Sequence, residues 1–553
     1  MKMRLSFAFK LDDNKRYLFK EIGMKKKNTS KVLVIGISLV IILVSSFSIY
    51  SLRYLIKYVY NIIFPPKTVE NLDLTTEEKL EDFQYLYNTL ITSMPQINQF
   101  KEIYGFSFSE RKDEYEELIR NTNTDMEFYA TMEAILQENS SFHTDFIYPT
   151  EYGMQNCYHK EAVSTDRNVI SYANYWEQQL KNLYQNNDSR FLSFVYQNGD
   201  YTYDDTESTE KSDSISGTLL SVNGMSVDEY ITQHLSTFSM HYDGAEKKAY
   251  RRRIVFNDKH GSPCEITYQT HDGDVRTISR FMDILYEEIF WEERYERLNT
   301  PENDTSYEPV ISCADEKISY VKIDDMELSE AKAVKSAMKN IKTDYVILDL
   351  RENYGGYNWF AERYIYPYLF VDDFKEKHVF YISDSEQNHC FTKDLFLRLY
   401  FDMKKTDDNP FGLNYAMLSA NKINEYNGSA DKNKKVVILT SVETGSAADN
   451  FVYDMKKNDC AYIIGNNTGG EGLGTSFCQY ALPNSHLSFT YYPADAIGLD
   501  GLSNSVYGTA PDEYSESTDS FVAYLQDHPT PTMAELIEND KTIRIAYDHL
   551  IND

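Results

Sequence analysis

The segment Lys435-Val-Val-Ile-Leu-Thr-Ser441 runs directly into Val442-Glu-Thr-Gly-Ser446-Ala-Ala-Asp-Asn450. Its first part is a short β-branched run bounded by charged and turn residues, the pattern of a buried strand. Phe451, Val452 and Met455 then recur at helical spacing, which predicts a helix starting near Ser446. Gly445 permits a sharp turn between the two. Ser446 is thereby placed at a strand-to-helix corner, with the first N–H groups of the helix beside it. Those groups have no partner within the helix and carry its positive dipole end, so they suit a developing oxyanion. From this segment alone Ser446 reads either as a nucleophile or as a plain helix N-cap.

Working outward, the pattern from about residue 311 alternates. Ile318–Ile323 reads as a strand, 329–341 as a helix, Tyr345–Leu350 as a strand, and 358–369 as another helix. A Tyr- and Asn-rich insertion of about fifty residues separates these from strand 435–440, helix 446–457 and strand 461–464. Such alternation predicts an α/β core, a mostly parallel sheet with flanking helices, over 300–525. Ligands in these sheets sit beyond the C-terminal strand ends, where both Gly355-Gly356 and Ser446 fall.

The 553 residues allow several domains. At 42% hydrophobic and 14% aromatic, the chain can bury substantial cores. The net charge of −31 is unevenly spread: residues 1–31 carry +7 and the remainder −38. So acidic a body excludes nucleic acid as a partner, because phosphate binding needs a basic surface. Val32 to Leu52 is a 21-residue run without a charge, preceded by Lys25, Lys26, Lys27 and Lys31. It predicts a single transmembrane anchor with a cytoplasmic basic tail at 1–31 and an extracellular body. A cleaved signal peptide starting at Met24 is the rival reading. The six cysteines are scattered without a C-x-x-C pair, which disfavours a zinc module; no metal or other cofactor is implied.

Between the 53–70 linker and the core lie two further regions. Over 71–190 the pattern is helical: Thr75-Thr-Glu-Glu78 reads as a capping box, 109–120 as a second helix, and Thr124-Asp-Met-Glu127 as the start of a third ending near Asn139. His143 then falls in the loop beyond. A polar stretch at 185–215 is expected to be flexible in part. Ser216 to Phe281, with an Asn223-Gly224 turn and a hairpin around Asp272-Gly-Asp274, predicts a small β-rich module within 191–285. A helical tail closes the chain at 526–553.

Three further pieces bear on Ser446. Asp349-Leu-Arg-Glu-Asn-Tyr-Gly-Gly356 puts two glycines at a strand end. Gly465-Asn-Asn-Thr-Gly-Gly-Glu-Gly-Leu-Gly474 is a Gly-rich loop that lacks the spacing and the lysine of a phosphate cradle. Asp500-Gly501 leads into Tyr507-Gly-Thr-Ala-Pro-Asp512. In this order the pieces resemble the C-terminal-processing (tail-specific) peptidases, the S41 serine peptidases, with their D-L-R-x-N-x-G-G turn, nucleophile turn, G-x-x-T-x-G-x-G loop and G-x-x-P-D segment. The likeness covers about 311–525. It extends to the 191–285 region, which looks like the PDZ-like module of these enzymes, and to Ser141-Phe-His-Thr144, similar to their D-G-H-T segment.

The resemblance implies a peptide or protein substrate, Ser446 as nucleophile, and an oxyanion hole from Gly355, Gly356 and the N–H of Ala447. The chain departs from the Ser–Lys members, which carry lysine where Glu471 stands. It resembles instead the tricorn-core-like branch, in which a histidine from an earlier segment is the base, here His143. The later acid of that branch is Ser505 in this sequence, leaving Glu471 as the candidate third residue by motif position. The expected function is a membrane-anchored extracellular serine peptidase; the alternative is a catalytically inactive relative that binds peptides or other ligands.

Overall fold

A computed structural model describes residues 56–57, 60–61, 63–139, 141, 143–147, 166–186, 189–204, 216–235, 240–284, 310–515, 524–525 and 528–552. The chain divides into two compact units, Met1–Pro66 and Lys67–Asp553, and every element named below belongs to the second. Among the described residues no helix is long and apolar enough to cross a membrane. The 32–52 run and the basic tail lie outside the described residues.

The helical region begins where expected. Thr75 and Glu78 form a capping box on helix Thr76–Ser93, whose Phe83, Leu86 and Leu90 are fully buried. Helix Lys112–Arg120 follows, then Asp125–Gln137, capped by the Thr124 side chain on the Glu127 N–H. The chain leaves that helix through Glu138 and Asn139 and delivers His143 in a turn. Helix Arg167–Asn186 packs beside it through Trp176, whose indole N–H donates to the Ser485 carbonyl at 3.0 Å.

Nine strands come next: β1 (Phe191–Gln197), β2 (Asp200–Asp204), β3 (Ser216–Val222), β4 (Met225–Ser226), β5 (Met240–Asp243), β6 (Lys248–Arg251), β7 (Arg253–Asn257), β8 (Ser262–Gln269) and β9 (Val275–Met282). Seven pair antiparallel in the order β2-β1-β7-β9-β8-β3-β4, and β5–β6 form a separate hairpin. The β3–β4 turn has positive φ at both Asn223 and Gly224, the backbone an Asn-Gly turn supplies at little cost. Of the stretch 185–215 expected to be flexible in part, 191–204 holds β1 and β2, while 187–188 and 205–215 lie outside the described residues. Leu192, Phe194 and Tyr196 alternate inward and are buried, so this polar-looking segment is half core.

The central sheet has six strands in the order β10-β11-β12-β16-β17-β21, where β10 is Val310–Ala314, β11 Ile318–Ile323, β12 Tyr345–Asp349, β16 Lys435–Thr440, β17 Tyr462–Gly465 and β21 Glu513–Tyr514. All neighbours are parallel except β10–β11. Apolar side chains leave these strands on both faces, as a sheet covered on both sides requires. Val346, Leu348, Val436 and Ile438 meet helices Ala331–Asn340, Trp359–Tyr364 and Ala447–Lys457. Ile347, Val437 and Leu439 meet helices Met533–Asn539 and Lys541–Asn552.

One sequence expectation needs correction here. The helix expected over 358–369 is two short ones, Trp359–Tyr364 and Tyr366–Leu369, because Pro367 has no N–H to continue the first ladder. The insertion after it is an ordered sheet, β14-β15-β13-β20, built from β13 (Phe374–Ser383), β14 (Lys404–Thr406), β15 (Met417–Tyr426) and the later β20 (Ala494–Ala496). A further hairpin, β18 (Cys478–Ala481) and β19 (Ser488–Tyr491), shares one core with this sheet and the helical region.

Candidate active site

The site forms where β12 and β16 end side by side. Beyond β12, Asp349 and Arg351 make a two-point ion pair (2.6 and 2.9 Å), Arg351 also reaches Asp540 at 2.8 Å, and Tyr320 donates to Asp349 at 2.7 Å. All four are buried, so the turn starts from a fixed base. Asn353 is the junction. Its amide donates to the Ile323 carbonyl, its Oδ1 accepts the Gly355 N–H at 3.0 Å, and its own carbonyl accepts the Gly445 N–H at 3.0 Å. The glycine turn and the serine turn are thus tied through one residue, by its side chain and its main chain.

Gly355 and Gly356 have φ of 107° and 125°, a region that disfavours any side chain. A Cβ on Gly355 would lie 2.7 Å from the Ser446 Cβ and 2.9 Å from the Ala447 nitrogen, so the bare backbone abuts the serine directly. Ser446 itself has φ 52° and ψ −119° and makes no capping hydrogen bond with its side chain. The helix begins at Ala447 without using the serine hydroxyl. The plain N-cap reading therefore fails, and the hydroxyl is left at the corner. Among the described residues the N–H groups of Gly356 and Ala447 meet no acceptor, whereas the Gly355 N–H is taken by Asn353. Of the three residues expected to form an oxyanion hole, Gly356 and Ala447 are the two whose N–H groups have no acceptor among the described residues.

The Gly-rich loop after β17 closes the other side. The Gly470 carbonyl accepts the Ser446 N–H at 2.9 Å. A Cβ on Gly472 would stand 2.3 Å from the Ser446 carbonyl oxygen. Asp449, one helical turn after the serine, accepts from Thr468 (2.5 Å), Thr509 (2.7 Å) and the Gly472 N–H (3.2 Å). Burial pushes its carboxyl up against the pull of these bonds. Through Asp449 the last two motif segments are fastened to the serine helix.

Glu471 has a positive φ of 60° and is buried. Its two carboxyl oxygens accept from the Ser141 hydroxyl at 2.5 Å and from the backbone N–H of His143 at 2.9 Å. The chain pieces at 141–143 and 471 are thereby joined across 328 residues of sequence. Glu471 grips the main chain of His143. Burial raises the Glu471 carboxyl to about 8, opposed by the two hydrogen bonds. The His143 ring lies between Phe477 and Tyr492, each centroid 5.7 Å away, and burial lowers its imidazole to about 4. Tyr492 also donates to the Glu471 carbonyl at 2.8 Å.

Two groups escape the sequence reading. Ser505, at the position of the missing acid, donates its N–H to Asp495 at 3.1 Å. Asp495 is buried on β20, bonded also to Ser503, and burial raises it to about 6. A carboxyl is therefore present beside Ser505, supplied ten residues earlier. Its signal was a lone acid in Ala494-Asp495-Ala496. Lys422 on β15 is the second. Its Nζ donates to Asn450 Oδ1 at 3.0 Å and the Gly472 carbonyl at 2.9 Å, and burial lowers it to about 8. Among the described residues no group of three or more His, Cys, Asp or Glu could hold a metal ion.

Residues 317–515 match the family model described as "Peptidase family S41". No curated protein sequence matches the chain. Solved structures similar in fold include mature CPAF complexed with lactacystin (11% identity, TM-score 0.48, covering 86% of this chain and 99% of that one). The photosystem II D1 C-terminal processing protease is another (13%, TM-score 0.32, 80% and 94%), and the tricorn protease a third (13%, TM-score 0.30, 86% and 37%).

Proposed function

Residues 317–515 belong to peptidase family S41, and from that premise we propose that this chain is an active serine peptidase cleaving peptides or proteins through an acyl-enzyme. The observation that carries the reading is Ser446 itself. It sits in a strained backbone with its hydroxyl released from capping duty, the unbonded Ala447 N–H next to it and the bare Gly355 backbone packed on it. Ser446 Oγ attacks the scissile carbonyl, and a ring nitrogen of His143 takes its proton. The N–H groups of Gly356 and Ala447 hold the oxyanion, His143 returns the proton to the leaving amine, and water resolves the ester. Glu471 holds the His143 segment, and at about 8 its carboxyl is mostly protonated at neutral pH. That neutrality leaves the imidazole without a nearby full negative charge from this residue, consistent with a histidine that stays unprotonated.

The 191–285 module is proposed to hold long chains at a sheet edge by strand addition. The 32–52 run is proposed as the anchor, with the body outside the cell. Protease added to intact cells then removes the body and spares the tail; a protected catalytic region would overturn this topology. The function itself is tested by incubating the purified body with a mixture of denatured proteins and sequencing the new termini. New termini that vanish with Ser446→Ala support the peptidase reading. A folded protein that retains peptides without cutting them favours the binding-only alternative.

A further inference from the structure

The sulfur atoms of Cys390 and Cys478 lie 3.5 Å apart, both as thiols, although 88 residues separate them. Cys390 is in the short helix His389–Thr392, in the connection between β13 and β15, and is partly exposed. Cys478 opens β18 and is fully buried. The surroundings are already fixed. Asn388 donates through its amide to the carbonyls of Ser93 (2.9 Å) and Ser383 (3.1 Å), and its Oδ1 accepts from Tyr491 at 3.0 Å. The Cys390 sulfur lies 3.4 Å from the Gln387 carbonyl and the Cys478 sulfur 3.9 Å from Asn388 Oδ1, and thiol contacts of this kind are weak. Asn388 Oδ1 keeps Tyr491 as its donor if Cys478 loses its hydrogen.

We propose that Cys390 and Cys478 close into a disulfide that clamps the β13–β15 excursion to the hairpin walling His143. Phe477, immediately before Cys478, carries one of the two rings flanking that histidine, and Tyr492, immediately after β19, carries the other. The bond needs a two-electron oxidant, here a small-molecule disulfide. The Cys390 thiolate, being the accessible one, attacks the reagent, forming a mixed disulfide and releasing one thiolate. The Cys478 thiolate then attacks the Cys390 sulfur, expelling the second. Two protein thiols are oxidised, one reagent disulfide is reduced, and the two protons given up by the protein end on the two released reagent thiols. Full burial of Cys478 and the upward push this gives its thiol make the second step the slow one, faster as pH rises.

The full chain is reduced, desalted, incubated with oxidised glutathione, then alkylated in denaturant and digested. The expected product is one disulfide-linked pair of peptides carrying Cys390 and Cys478, with two fewer alkylated thiols than the reduced sample. The melting temperature should rise by about 2–4 °C on oxidation and return with dithiothreitol, the scale for closing a loop of this length in a protein this large. Cys390→Ser should melt like the reduced wild type under both conditions. Recovery of both cysteines alkylated, or of Cys390 as a glutathione adduct beside an alkylated Cys478, overturns the proposal. A linked pair without any change in melting overturns the clamp. Peptide mapping on the wild type decides the cross-link even if the serine variant fails to fold.

Discussion

Ser446 holds φ 52° and ψ −119° immediately before a helix whose first turn its hydroxyl does not cap. A non-glycine residue in this region stores strain on the order of 1–3 kcal/mol, which glycine does not feel. Ser446→Gly should therefore raise stability by about 1 kcal/mol in a denaturant melt while abolishing activity, and Ser446→Ala should abolish activity with no such gain. Equal stability for the two variants would remove the strain argument. Glu471 gives a second test. Its carboxyl rises from 4.5 to about 8 in the folded chain, so the folded state binds more protons than the unfolded one and stability falls as pH rises through that window. His143, lowered from 6.5 to about 4, acts with the opposite sign, but only below 6.5. Between pH 6.5 and 8 the Glu471 contribution thus stands clear of the histidine and amounts to about 2 kcal/mol. Glu471→Gln should flatten the decline of the melting temperature over that interval; an unchanged slope would mean the carboxyl is ionised throughout. An unperturbed imidazole titrates near 6.5, and the burial of His143 beside Phe477 and Tyr492 is a long-range fact that its sequence neighbours do not carry. The acid limb of activity should accordingly lie near 4.

The turns after β12 and β16 were readable in the sequence because local chemistry determines them: glycine where φ is positive, an apolar run where a strand is covered on both faces. Gly355→Ala puts a methyl 2.7 Å from the Ser446 Cβ on a backbone of φ 107°. It should reduce Ser446 reactivity at least a hundredfold while the far-UV circular dichroism stays unchanged; wild-type reactivity would mean the turn is not packed on the serine. The β13–β15 sheet was not readable. In β15 the inward residues are Ala420, Lys422, Asn424 and Tyr426 and the exposed ones are Ile423 and Glu425, so the usual alternation is inverted over Lys422, Ile423 and Asn424. The inversion has a physical reason. Lys422 and Asn424 meet Asn450, and Asn424 and Tyr426 meet Asp454, all on the polar side of the serine helix. A polar seam between two buried elements carries no hydrophobic period, and hydrophobic period is the signal sequence reading depends on.

At the scale of the whole chain, the candidate site is assembled from pieces at 141–143, 353–356, 446–450, 471–472 and 495–509, and no one of them contains the chemistry. The helical region that brings His143 is locked to the strand-rich region by Glu138, which is buried and accepts from Arg111 at 2.9 Å and from Arg251 at 3.1 Å. Removing one partner from such a triad leaves uncompensated buried charge, so Glu138→Ala should cost about 3–5 kcal/mol and lower activity with it. A change under 1 kcal/mol in a denaturant titration would mean the regions are held together by apolar packing instead. The central claim is that this assembly activates Ser446, and a fluorophosphonate probe reads it without knowledge of the substrate. At pH 7 the folded wild-type chain should take up one probe per molecule, mapped by mass spectrometry to Ser446. Folded Ser446→Ala should take up none, and folded His143→Ala should label slower by orders of magnitude. A folded wild-type chain that leaves Ser446 unlabelled would contradict the account.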